Sequence, residues 1–166
     1  MALPELTILG AAYGLGCRTD RVRELQGNSN RIDVVANNDT FGDTWHGRKK
    51  SLVIVYQYTG YKPMVAAVKE DERLVISPPD FAPEQAQTSA LRPFHILGAA
   101  YGPGDVTARA NSLIRNNQLE ILANNNTFPD SWHGRKKSFV AVFQNEEGRP
   151  YMLIVEEGTY ISVSSQ

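Results

Sequence analysis

Apolar positions fall in short runs along this chain, and the runs come in two matching sets. LTILGAAY (6–13) and FHILGAAY (94–101) each predict a first strand, and a glycine turn follows each, YGLG and YGPG. RIDVVANN and QLEILANN alternate, with Ile32, Val34 and Ala36 on one face of one strand and Leu119, Ile121 and Ala123 on one face of the other. That period of two predicts half-buried strands. SLVIVYQY and SFVAVFQN are apolar on both faces and predict central strands, and PMVAAVKE with RLVIS and PYMLIVEE with YISVS complete the sets. Between the first two strands, DVTARANSLIRNN places Val106, Ala110, Leu113 and Ile114 at helical spacing, with Asp105 as the expected N-cap. CRTDRVRELQGN keeps Val22 and Leu25 but has Cys17 at the cap position. The prediction is a mainly all-β chain of two tandem small antiparallel β-sandwich-like domains, each with about five strands and one short helical turn.

The two sets are copies. ILGAAYG at 8–14 returns at 96–102, and ANNDTFGDTWHGRKKS at 36–51 returns as ANNNTFPDSWHGRKKS at 123–138. The reading divides the chain into a first β repeat (1–77), a Pro/Ala-rich linker (78–93) and a second β repeat (94–166). The core strands drift between copies, as packing allows when volume and pattern are kept. The loop before each central strand drifts far less, although its residues are polar or aromatic. Both tryptophans and two of the three histidines lie in it.

Composition narrows the choices. Apolar residues make up 42% of the chain, which suits a folded protein. The formal charge of −1 argues against a general nucleic-acid binder. A single cysteine, Cys17, excludes an intrachain disulfide and points to a reducing compartment. The start MALPELTILGAAYG lacks the features of a signal peptide, and no apolar run suffices for a membrane span, so a cytoplasmic location is expected.

The loop admits two readings. In the structural one, Trp45 and Trp132 cap the end of the sandwich, the Asn and Asp side chains make Asx-turns, and GRKK is a solvated strand entry. In the functional one, the loop binds a neutral sugar. A pyranose stacks its C–H face on an indole, and its hydroxyls pair with amides, carboxylates, neutral histidine and the arginine fork. The candidates are Asn37, Asn38, Asp39, Asp43, Trp45, His46 and Arg48, and in the second copy Asn124, Asn125, Asn126, Asp130, Trp132, His133 and Arg135. Other chemistries find less. Cys17 aligns with Asp105, so a thiol nucleophile would exist in one copy only, and no other nucleophile accompanies the Asp43–His46 spacing. Asp39 becomes Asn126, which leaves little charge for calcium, and one histidine per loop cannot hold zinc alone. GRKK beside Trp-His leaves a phosphate contact open.

The pattern ILGAAYGPGDVTARANSLI…LEILANNNTFPDSWHGRKKSFVAVF…YMLIVEEGTYISV resembles a small β-domain of unassigned function. That domain occurs at the C-terminus of a mitochondrial DnaJ-type co-chaperone and in fungal and bacterial proteins. The first copy departs from the pattern: it lacks the D-V-T segment and has Asp71 where Gly158 closes the motif. In size and Trp-containing loops the units are also similar to small galactoside-binding mushroom lectins. The first resemblance implies a protein-interaction module, and the second implies sugar binding without catalysis. The expectation is a bivalent lectin with one site per repeat, no catalytic residue, metal or cofactor, glycan partners (terminal galactose among them), no nucleic acid, and a homo-oligomer as an option. A non-enzymatic protein–protein interaction module is the alternative.

Overall fold

The computed structural model describes residues 3–82, 94–145 and 148–164. The first repeat runs β1 (Leu6–Tyr13), β2 (Gly16–Cys17), α1 (Thr19–Gln26), β3 (Ile32–Val35), α2 (Asn38–Phe41), β4 (Ser51–Tyr58), β5 (Met64–Lys69) and β6 (Arg73–Ile76). The second runs β7 (His95–Tyr101), β8 (Gly104–Asp105), α3 (Thr107–Ser112), β9 (Gln118–Leu122), β10 (Ser138–Gln144), β11 (Pro150–Glu156) and β12 (Tyr160–Ser164). Each repeat forms a four-stranded sheet, in the orders β2-β1-β4-β5 and β8-β7-β10-β11, and a two-stranded ribbon, β3–β6 or β9–β12. All pairings between these strands are antiparallel. The all-β prediction therefore holds.

Within each repeat the ribbon packs on one face of the sheet. Ile32, Leu74 and Ile76 of the first ribbon meet Ile8, Leu52 and Ile54 of the sheet, and Val22 of α1 and Phe41 complete the core. In the second, Leu119, Ile121 and Ile161 meet Phe139 and Ala141, with Val106, Ala110 and Phe128 alongside. The alternation read from the sequence thus assigns these residues to the core. The central position of β4 and β10 also holds, and the structure supplies its cause. Their second face packs on the other repeat: Ala12, Val53, Ala100 and Val140 form a third buried cluster, flanked by Val65, Ala67, Met152 and Ile154. Full burial of Val53 is worth about 1.5–3 kcal/mol.

Close approach at this shared face needs glycine. An added Cβ on Gly10 would lie 2.6 Å from a methyl of Val142, and one on Gly98 would lie 2.7 Å from methyls of both Val55 and Val65. Each glycine follows an irregularity in its strand, between Ile8 and Gly10 in β1 and opposite the Val142/Phe143 step in β7. The contacts are reciprocal, as in a two-fold dimer. Near this pseudo-axis the hydroxyls of Ser51 and Ser138 stand 3.5 Å apart.

Three details differ from the expectation. Each repeat has six strands rather than about five, because the glycine turn carries the two-residue strands β2 and β8. Asp105 lies in β8 and is not the helix N-cap; its carboxylate accepts from the backbone N–H of Thr107 at 2.9 Å and from the Thr107 hydroxyl at 2.6 Å. The third difference is α2, a one-turn helix in the segment read as loop. A threonine anchors both α1 and α3. Thr19 and Thr107 each accept from a backbone N–H of the first strand, Ala11 or Ala99, at 3.0 Å. The linker lies largely outside the described residues; at its near end Phe81 packs edge-on against Tyr61. Among the described residues no helix is long and apolar enough to cross a membrane.

Candidate functional site

The loop between α2 and β4 is built around a buried lysine. Lys50 is 2% exposed, and its ammonium lies 3.0 Å from Asp43 and 3.1 Å from Glu70. It also donates to the Arg48 carbonyl at 3.0 Å and sits over the Tyr13 ring. The second copy repeats this: Lys137 lies 2.8 Å from Asp130 and 3.1 Å from Glu157, donates to the Arg135 carbonyl at 3.0 Å, and sits over Tyr101. A solvated strand entry was expected at GRKK, and Lys50 and Lys137 overturn that part of it. A buried charge survives only when paired and hydrogen-bonded, and here a carboxylate from the loop and one from the end of the β5 or β11 hairpin arm supply the pairing.

The network extends outward from the lysine. The Tyr13 hydroxyl donates to Asn38 Oδ1 at 2.8 Å, and that of Tyr101 to Asn125 Oδ1 at 2.7 Å. Burial, and then the neighbouring Glu70 or Glu157 carboxylate, pushes both phenols well above the ordinary tyrosine range. Burial alone would raise Glu70 and Glu157, but hydrogen bonds from the lysine side chain and backbone outweigh it and hold both low. Asp43 and Asp130 are lowered first by the lysine hydrogen bond; histidine contacts add to this. The second carboxylate oxygen of Asp43 is 3.1 Å from His46 Nδ1, and that of Asp130 is 3.3 Å from His133 Nδ1.

These bonds commit several of the sugar-binding candidates. Asn37 Oδ1 accepts from the Thr40 N–H at 2.9 Å and caps α2, while Asn124 Oδ1 accepts from the N–H groups of Asn126 and Thr127 at 3.0 Å. Asp43 and Asp130 have both oxygens engaged. Asp39 and Asn126 are exposed, and their side chains are not tied to the network. Trp45 and Trp132 are half-buried, while His46 and His133 are almost wholly exposed. Lys69 from the first repeat places its ammonium over the Trp132 ring of the second, 5.8 Å from its centre. Among the described residues, no hydrogen bond or ion pair engages the guanidinium of Arg48 or Arg135.

Gly47 and Gly134 have φ of 77°, and Trp45 and Trp132 accept from the N–H of Arg48 and Arg135 at 3.1 Å. Each Trp-His-Gly-Arg is therefore a tight turn with left-handed backbone at its third residue, which favours glycine. The residues of WHGRKKS thus separate by role. Backbone geometry requires the glycine, the buried network requires the second lysine, and the contact across the pseudo-axis holds the serine. Neither the turn nor the buried lysine network accounts for Trp, the outer edge of His, or Arg, although Lys69 engages Trp132 across the repeats.

The two loops meet. A cleft of about 300 Å³ beside Lys50 is lined by Asn38, Asp43, His46, Arg48 and Glu70 of the first repeat and by Arg135 of the second. Sequence reasoning missed Tyr13, Tyr101, Glu70 and Glu157 as parts of this region. Their signal was present, since Tyr, Glu and the second Lys all recur at the same place in both copies. They were absorbed into strand patterns because each lies at a strand end. Among the described residues no three His, Cys, Asp or Glu side chains converge as a metal site would require. No family model, curated protein or solved structure matches the chain. The resemblances to the co-chaperone domain and to galactoside lectins therefore rest on their motifs alone.

Proposed function

We propose that this chain is a non-enzymatic carbohydrate-binding protein whose two loop copies form one recognition face. The observation that carries this reading is the set of loop residues left over by the fold. Trp, His and Arg are identical in both copies and reach the surface, and neither the turn geometry nor the lysine network calls for an indole or a guanidinium there. A partly exposed indole offers an edge or face to the C–H groups of a sugar ring. Asn38 uses its oxygen on Tyr13 and keeps its amide N–H groups for a hydroxyl, and His46 keeps Nε2 while Asp43 holds Nδ1. Arg135 on the rim of the first copy's cleft joins the two loops, so a ligand longer than one sugar ring touches both.

The test is a glycan array probed with the intact chain, followed by Trp45→Ala with Trp132→Ala. Binding that disappears while circular dichroism and melting stay native supports the reading. No glycan above background overturns it. Should the double variant melt early, His46→Ala with His133→Ala asks the same question, because both imidazoles are almost wholly exposed. A partner protein captured in the presence of saturating free sugars would favour the interaction-module alternative.

A further inference from the structure

We infer that the ligand of this cleft carries an anionic group (carboxylate, sulfate or phosphate) seated between Arg48 and Arg135. This rests on the carbohydrate reading for the ligand's body, though not for the anion itself. Four cations line the cleft, Arg48, Lys49, Lys50 and Arg135, against two carboxylates, Asp43 and Glu70. Lys50 is consumed by both carboxylates, at 3.0 and 3.1 Å. Lys49 lies 3.8 Å from Glu70 and 3.4 Å from Asp71, which stands outside the lining. Every acidic group within reach is thus already engaged by a lysine.

The two guanidiniums are what remains. They come from equivalent positions of the two repeats, three residues before Ser51 and Ser138, whose hydroxyls face each other at 3.5 Å. Two like charges on one cleft repel unless an anion lies between them. A guanidinium offers parallel N–H donors matched to the paired oxygens of a carboxylate, sulfate or phosphate. Hydroxyls of a neutral sugar need no second fixed positive charge.

Calorimetry on the intact chain tests this with three probes: a sulfated galactose oligosaccharide, its desulfated form, and inorganic phosphate. The sulfated form should bind about tenfold tighter or more at low salt, as charge-assisted hydrogen bonds allow. The advantage should shrink as salt rises from about 20 to about 300 mM. Arg48→Gln with Arg135→Gln should remove it, so that the sulfated and desulfated forms bind the variant alike. Equal affinity for the two sugars, or an advantage indifferent to the arginines, overturns the inference and leaves the carbohydrate reading standing. Arginine-dependent phosphate binding with neither sugar bound supports the anion seat and overturns the carbohydrate reading. If none of the three probes binds, both are overturned.

Discussion

Replacing Lys50 by Met tests whether the buried ammonium holds the loop. Met keeps most of the lysine stem, so packing against Tyr13 changes little and the charge is what is lost. Glu70, whose side chain is 13% exposed, then loses its counter-charge at 3.1 Å and keeps only the half-exposed Lys49 at 3.8 Å. Removing one partner of a buried pair costs about 3–5 kcal/mol; residual water at Glu70 points to the lower end, about 3 kcal/mol. Asp43, with a third of its side chain exposed, rehydrates and adds nothing to that figure. Urea denaturation followed by tryptophan fluorescence reads the effect. With an m-value of about 2 kcal/mol/M, the midpoint should fall by about 1.5 M. Lys49→Met is the control: its side chain is 43% exposed, so the loss should stay under about 1 kcal/mol. Adding Glu70→Gln to Lys50→Met should restore part of the stability, because the stranded charge is gone. A midpoint shift for Lys50→Met no larger than that for Lys49→Met would mean that the buried ammonium does not hold the loop.

Gly98→Ala should destabilise more than Gly10→Ala in thermal melts, by about 1–3 kcal/mol against less. The new methyl at 98 meets two stiff valines at 2.7 Å, whereas at 10 one of the two contacts is the flexible end of Met152. Asn37→Ala should cost about 1 kcal/mol through loss of the cap on Thr40, with no change in the far-UV spectrum. Asp43, Asp130, Glu70 and Glu157 are all lowered on folding, so the unfolded chain binds more protons in acid. Their contribution is complete above the ordinary values of 4.5 and 3.8 and is lost as pH falls through and below them. Melting temperature should therefore drop steeply below about pH 4, and the slope should be shallower in Lys50→Met with Lys137→Met; a wild-type curve that stays flat in acid contradicts the network. Tyr13 and Tyr101 are raised, so their contribution is present below pH 10.0 and is lost above it, read as delayed tyrosinate absorbance in an alkaline titration.

Periodicity made the sheets legible. Alternation in β3 and β9 marked a face against the core, and unbroken apolarity in β4 and β10 marked a second covered face. The identity of that second cover was not legible, because apolar runs do not say what lies against them. Gly10 and Gly98 were the trace of it, but within ILGAAYG a glycine also fits a plain strand. The loop was legible as a site of constraint but its cause was mixed. Lysine in a run of three basic residues reads as surface, and only the distant Glu70 and Glu157 reveal that Lys50 and Lys137 are inside. Asn37 and Asn124 show the opposite error of emphasis: a residue type suited to hydroxyls was committed to its own backbone.

Covalent fusion frees the two halves from obeying each other. In a dimer of identical chains, every substitution at a two-fold axis appears twice, and the surface there reads the same from either side. Here Lys69 stands opposite Ser51 and Glu156 opposite Ser138, so matched positions of the two sheets carry opposite charge. Lys69 lies over Trp132, whereas Glu156, the position equivalent to it, is ion-paired with Lys136 at 3.7 Å. The two halves of the face therefore differ in charge at matched positions. On the proposed function, a molecule laid across both loops meets different charges in its two orientations.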